Sequence, residues 1–232
     1  MSMPFYVSPE QVMADKAEYA RKGISRGKSS VTLEFEGGVV LMAENVSSLM
    51  KIGEIYDRVA FAGVGKFSEF DQLRKLGVRY ADTKGYAYSR EDVRAKGLAN
   101  AYSQAIGDAF TQQLKPLEVE LIVAEVGDPG LVGQEHNSIY RVTFDGSISD
   151  HEGYCVIGGA ADDLDAFLRS EYRKSFSLRQ ALHLGRRALE RAAEGQPQVA
   201  PENLEVCVLE RGRIGRKFHR LSTDTVRDHL AG

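Results

Sequence analysis

The sequence predicts an α+β fold, a four-layer αββα sandwich in which two stacked antiparallel sheets lie between helix layers. Three observations carry this expectation. Strand-like segments arrive in blocks with tight turns at Gly37-Gly38 and Asp145-Gly146, as antiparallel hairpins do and parallel βαβ units do not. Pairs of helices separate the blocks, giving the order strand, helix pair, strand, helix pair, strand. Val39 to Ala43 is apolar throughout, which suits a strand covered on both faces.

The first element is a helix over residues 8–22. Ser8 offers an N-cap hydroxyl, Pro9 takes the first helical position and Gln11 follows three residues after the cap, the capping-box order. Met13, Ala17, Ala20 and Ile24 recur at helical spacing as a narrow stripe suited to close packing against another chain or element, and Gly23 and Gly27 are expected to stop the helix. Val31, Leu33 and Phe35 then alternate with Ser30, Thr32 and Glu34 as the first strand of a hairpin whose return strand is Val39 to Ala43. Lys51 to Tyr56 and Arg58 to Val64 read as two further strands.

The first helix pair covers Phe67 to Ala81, with Phe70, Leu73, Gly77 and Tyr80 on one face, and a longer helix after Ser89 with Leu98, Ala101, Tyr102, Ala105 and Ala109. Pro116 closes it. Leu117 to Val126 and Ile139 to Phe144 are strands, and the block ends at Ile157-Gly158-Gly159. In the second helix pair Leu164, Phe167 and Leu168 precede Leu178, Ala181, Leu182, Gly185, Ala188, Leu189 and Ala192, capped by Ser177 with Gln180 and stopped at Gly195 before Pro197. Strands at Asn203 to Leu209 and Lys217 to Leu221 and a short helix from Thr223 to Leu230 complete the chain. Only 127–137 and 195–202 are turn-rich, and both are short enough for surface loops, so residues 1–232 read as one domain, with the sandwich over 28–232.

A single domain of 232 residues removes about 70% of its unfolded surface from water, enough for a sizeable core. A net charge of −3 and a sequence pI near 6.0 lack the basic excess of a nucleic-acid binder, and the apolar runs fall short of a membrane span. The start of the chain has no signal-peptide order, so a cytoplasmic location is expected. Cys155 and Cys207 each sit within an apolar strand, where reduced buried thiols are expected; Asn45-Val46-Ser47 matches a glycosylation sequon only by chance. The histidines, His136, His151, His183, His219 and His229, form no metal-ligand spacing, and Gly63 to Gly65 lacks the pattern of a phosphate loop; neither metal nor cofactor is expected.

Ser8-Pro9, Glu18-Tyr19-Ala20, Lys22-Gly23 and Gly37-Gly38-Val39 together resemble the opening of α-type subunits of the 20S proteasome, and most closely the bacterial form found in actinobacteria. Lys51-Ile52, Tyr56-Asp57, Phe61-Ala62-Gly63, Lys115-Pro116, Phe144-Asp145-Gly146-Ser147 and Ile157-Gly158-Gly159 continue the resemblance in order over essentially the whole chain. It implies the sandwich of N-terminal-nucleophile hydrolases without their chemistry. In catalytic β-type relatives a terminal threonine attacks while its own α-amine, with a pKa of about 7.7 to 8.0, takes the proton. That threonine falls here on Lys28, which has no hydroxyl and whose nitrogen is a peptide amide; the supporting aspartate falls on Glu44 and the lysine on Lys51.

In α-type subunits the position of Lys51 lies in a pocket between neighbours that binds the C-terminal carboxylate of an activating AAA ATPase, so the resemblance implies that role for Lys51, with Arg26 and Lys28 able to add positive potential. It further implies a self-assembled heptameric ring stacked on β subunits, ring assembly through the first helix (Ser8, Pro9, Met13, Ala17, Ala20), a gating peptide at residues 1–7 (Met3, Pro4, Phe5, Tyr6), and a pore-annulus turn at Gln113, Leu114 and Lys115. Its ATPase partner would deliver proteins tagged with the ubiquitin-like modifier Pup, and the chain itself would be catalytically silent. Two alternatives stand beside this: a self-processing amidohydrolase using Ser29 after cleavage near Lys28, and a scaffold of the same fold that does not gate.

Overall fold

In the computed structural model, which describes residues 8–192 and 199–231, two five-stranded antiparallel sheets lie face to face. The elements are α1 (Pro9–Ser25), β1 (Ser30–Phe35), β2 (Gly38–Glu44), β3 (Ile52–Tyr56), β4 (Val59–Gly65), α2 (Phe67–Ala87), α3 (Ala95–Gln112), β5 (Val119–Glu125), β6 (Ser138–Val142), β7 (Ile148–His151), β8 (Tyr154–Ile157), α4 (Ala161–Glu171), α5 (Leu178–Ala192), β9 (Leu204–Glu210), β10 (Phe218–Arg220) and α6 (Thr223–Ala231). One sheet runs β10-β9-β2-β1-β8 and the other β3-β4-β5-β6-β7. The predicted four layers are present.

The side-chain period of two explains the layering. On β1, Val31, Leu33 and Phe35 join Leu164, Leu168, Leu182 and Leu189 of α4 and α5 in one outer core. On β2, Val39, Leu41 and Ala43 face Ile52, Ala60, Ala62 and Ile122 of the other sheet in the middle core. On β5, Val119, Leu121 and Val123 meet Leu98, Tyr102 and Ile106 of α3 in the third. Ser30 and Thr32, which alternate with the apolar residues of β1, are fully buried as well, because that face also lies against a layer.

Two helices run further than their sequence-based bounds. Helix α1 continues through Gly23 to Ser25 because Ile24 is buried in the middle core, and it ends where the Gly27 N–H bonds back to the Ile24 carbonyl at 2.9 Å. Helix α2 passes Ala81 to Ala87, since Ala81 is itself buried against α3. The expected stop at Gly195 and Pro197 lies outside the described residues, as does the peptide 1–7. No helix of the described residues is long and apolar enough to cross a membrane, and no cluster of metal-ligating side chains occurs among them.

Candidate functional site

Helix α1 places the end of the sandwich where β1 begins and β2 ends. Ser8 caps it as predicted, its Oγ accepting from the Gln11 N–H at 3.2 Å, but the Gln11 side chain turns forward to Asp15 rather than completing the box. At the other end Gly158 and Gly159 press on the link to β1. A Cβ on Gly158, at φ +113°, would lie 3.0 Å from Ser29 Cα, and one on Gly159 would meet the Ser25 backbone at 2.8 Å. Ser29 is consequently buried, and Lys28 is held in continuous chain between helix and strand.

Lys28, Glu44 and Lys51 meet at this end. The Lys51 ammonium donates to the carbonyls of Lys28 and Glu44, both at 3.0 Å, and the Lys28 ammonium pairs with Glu44 Oε1 at 3.2 Å. Among the described residues Lys51 has no carboxylate within ion-pair distance. An ammonium carries three donors, so one N–H remains for a ligand. Burial pulls the Lys51 pKa down to about 8; the carboxylates of Glu205 and Glu44 oppose that pull, and Lys28 adds slightly to it. The group is therefore mostly charged at neutral pH and loses its charge in mild alkali.

The site also contains residues that the sequence reading missed. Glu205 of β9 is buried and accepts the backbone N–H groups of Lys51 and Ile52, at 2.9 and 3.0 Å. Asn45, dismissed as a chance sequon, donates Nδ2 to Glu205 at 2.8 Å and to the Leu49 carbonyl at 2.9 Å, while its Oδ1 accepts from Ser47. Arg220 of β10 pairs with Glu205 at 2.6 Å. The available signal was a glutamate inside the apolar run Leu204 to Leu209, a charge that burial forbids without partners.

The remaining candidates are distributed as follows. Arg26 is exposed at the end of α1 and has no side-chain bond to Lys51, while the charge of Lys28 is spent on Glu44. Ala20 is fully buried in the chain's own middle core and Ala17, half-buried, packs against it; their small size admits this end of α1 to the sandwich. Ser8, Pro9 and Met13 stay exposed, joined by Val12 and Tyr19. The turn Gln113-Leu114-Lys115 lies against α1: Lys16 Nζ donates to the Phe110 and Gln113 carbonyls at 2.9 and 2.7 Å, and Lys115 stands over the Tyr19 ring while pairing with Glu69 and Glu118. Leu114 is almost wholly exposed beside an apolar groove of about 590 Å³ between this turn and α1. Met3, Pro4, Phe5 and Tyr6 lie outside the described residues.

A family model described as "Proteasome subunit" matches residues 24–209. The chain is 52% identical to the proteasome subunit alpha of Kineococcus radiotolerans over 239 residues, covering 100% of this chain and 99% of that one. It is 51% identical to that of Thermobifida fusca, covering 95% and 88%, and 50% identical to that of Thermomonospora curvata, covering 100% and 99%.

Proposed function

Because the chain belongs to the proteasome subunit family, in its α-type branch, we propose that it is a non-catalytic subunit of the 20S core, forming the heptameric outer ring that gates passage of substrates, docks an AAA ATPase and templates assembly with catalytic β subunits. Its setting is the cytoplasm and its pathway the ATP-dependent degradation of Pup-tagged proteins. One observation carries the reading. Where a hydrolase of this fold needs a free amine beside a hydroxyl, this chain has an internal peptide link, and the lysine of the set is bonded to two neutral carbonyls and to no carboxylate among the described residues.

An ammonium and a carboxylate at 4 Å attract by about 4 kcal/mol at an effective dielectric of 20, before desolvation. A single such pocket is weak, but several tails engaging one ring gain by avidity. The residues 1–7 are assigned to the gate, and the exposed face of α1 with Val12, Met13 and Tyr19 to contact between ring neighbours.

Replacing Lys51 with alanine in the assembled core is expected to abolish ATPase-stimulated protein degradation while hydrolysis of small peptides continues. Unchanged stimulation would favour the non-gating scaffold. The self-processing alternative is disfavoured by Ser29, which is buried beneath Gly158. Intact mass tests it: a chain trimmed to Ser29 that hydrolyses peptides without β subunits would replace the present reading.

A further inference from the structure

Three charged side chains from three parts of the chain act on the Lys51 ammonium, Lys28 ahead of β1, Glu44 at the end of β2 and Glu205 on β9, and Arg220 on β10 stands behind them, paired with Glu205. Their pairing decides how much charge Lys51 has left to offer. Lys28 occupies Glu44 at 3.2 Å, and Arg220 occupies Glu205 at 2.6 Å. Each carboxylate has a cation of its own. Among these five side chains Lys51, bonded to carbonyl oxygens alone among the described residues, carries the positive charge in surplus.

Glu205 also controls where that charge sits. Its Oε2 takes the Lys51 N–H and Asn45 Nδ2, and its Oε1 takes the Ile52 N–H and Arg220 Nη1. Asn45 and Lys51 bracket the short connection between β2 and β3, so one buried carboxylate grips both of its ends. Arg220 adds a bond from Nη2 to the Ile52 carbonyl at 2.8 Å.

We propose that Glu205 and Arg220 are positioning residues of the tail-docking pocket: Glu205 sets the Lys51 backbone, and Arg220 neutralises Glu205 so that it does not capture the lysine's charge from an incoming C-terminal carboxylate. This rests on the docking role given to Lys51 above. Without Arg220, the buried Glu205 carboxylate competes with the ligand for the same ammonium and repels the ligand directly. Without the Glu205 charge, burial of Lys51 is opposed only by Glu44, and the ammonium gives up its proton at lower pH.

The test uses the core particle assembled from this chain and its β partner, with a fluorescein-labelled octapeptide copied from the C-terminus of the host's proteasomal ATPase, as free acid and as C-terminal amide. The preference for acid over amide, read by anisotropy from pH 6.5 to 9.5, reports the charge on Lys51. In the native particle this preference is expected to fall as pH rises through about 8. Glu205→Gln should keep the preference at pH 6.5 and move its midpoint down by about one pH unit. Arg220→Gln should weaken acid binding about tenfold at pH 7 and move the midpoint up, and Arg220→Lys should restore both.

Native midpoints and affinities in both variants overturn the proposal, as does a loss of affinity that is equal at every pH, the mark of a merely structural role. If Glu205→Gln does not assemble, the two Arg220 variants decide, since that side chain is one-third exposed. An acid preference that is absent from the native particle, or that survives Lys51→Ala, refutes the docking role of Lys51 instead.

Discussion

Gly77 and Tyr102 give the sharpest residue-scale case of packing that local propensity cannot explain. Glycine inside a helix costs about 1 kcal/mol relative to alanine, yet Gly77 sits in the middle of α2. A Cβ there would lie 1.7 Å from the Tyr102 hydroxyl, which is buried at the contact between α2 and α3 with no hydrogen-bond partner among the described residues. Gly77→Ala is therefore expected to destabilise the chain by about 1–3 kcal/mol through overpacking. Tyr102→Phe removes an unpaired polar group, and its own effect should stay within about 1 kcal/mol of zero. In the Tyr102→Phe background the alanine should cost less, because the nearest oxygen is gone. Denaturant midpoints of the double-mutant cycle check this; additive effects would contradict the contact.

At the scale of elements, α1 is an amphipathic helix that belongs to the sandwich at one end only. Ala20 and Ile24 enter the middle core, whereas residues 8–15 are exposed on all sides. What holds the forward half is Lys16, whose ammonium takes the free carbonyls of Phe110 and Gln113 at the C-terminal end of α3, where the helix dipole also favours a cation. Lys16→Met should raise hydrogen exchange in residues 9–19 of the assembled core, by the about 1–3 kcal/mol that a charged hydrogen-bonding group contributes, and leave β1 and β2 protected as before. Unaltered exchange in α1 would mean that contacts with its neighbours, not Lys16, hold the helix.

At the scale of the whole molecule, Cys155 on β8 and Cys207 on β9 stand near opposite edges of one sheet and both face the layer between the sheets. Burial pushes both thiols up to about 12, so neither forms thiolate near neutral pH. Reaction with a disulfide reagent is therefore expected only when the sheets separate, and for both cysteines at one rate equal to that of global unfolding. Mass spectrometry of partly labelled protein checks this. A singly labelled species accumulating under native conditions would show that one edge of the sandwich opens alone.

The order of elements, both hairpin turns, the cap of α1 and the apolar stripes were legible in the sequence, because each rests on neighbours within a few residues. Lys28, Glu44 and Lys51 were legible as a set through resemblance alone, since nothing in their spacing shows that they meet. Periodicity could not assign β1–β2 and β3–β4 to different sheets, because an apolar strand reads alike in either, nor could it show that Ala20 turns inward. Glu205 and Arg220 lie more than 150 residues along the chain from Lys51, and only the pairing of β9 with β2 and β10 brings them under it. Local chain chemistry thus determined what each segment becomes, whereas the stacking of distant strands decided which charges are buried together and which one, among the described residues, is left without a carboxylate partner.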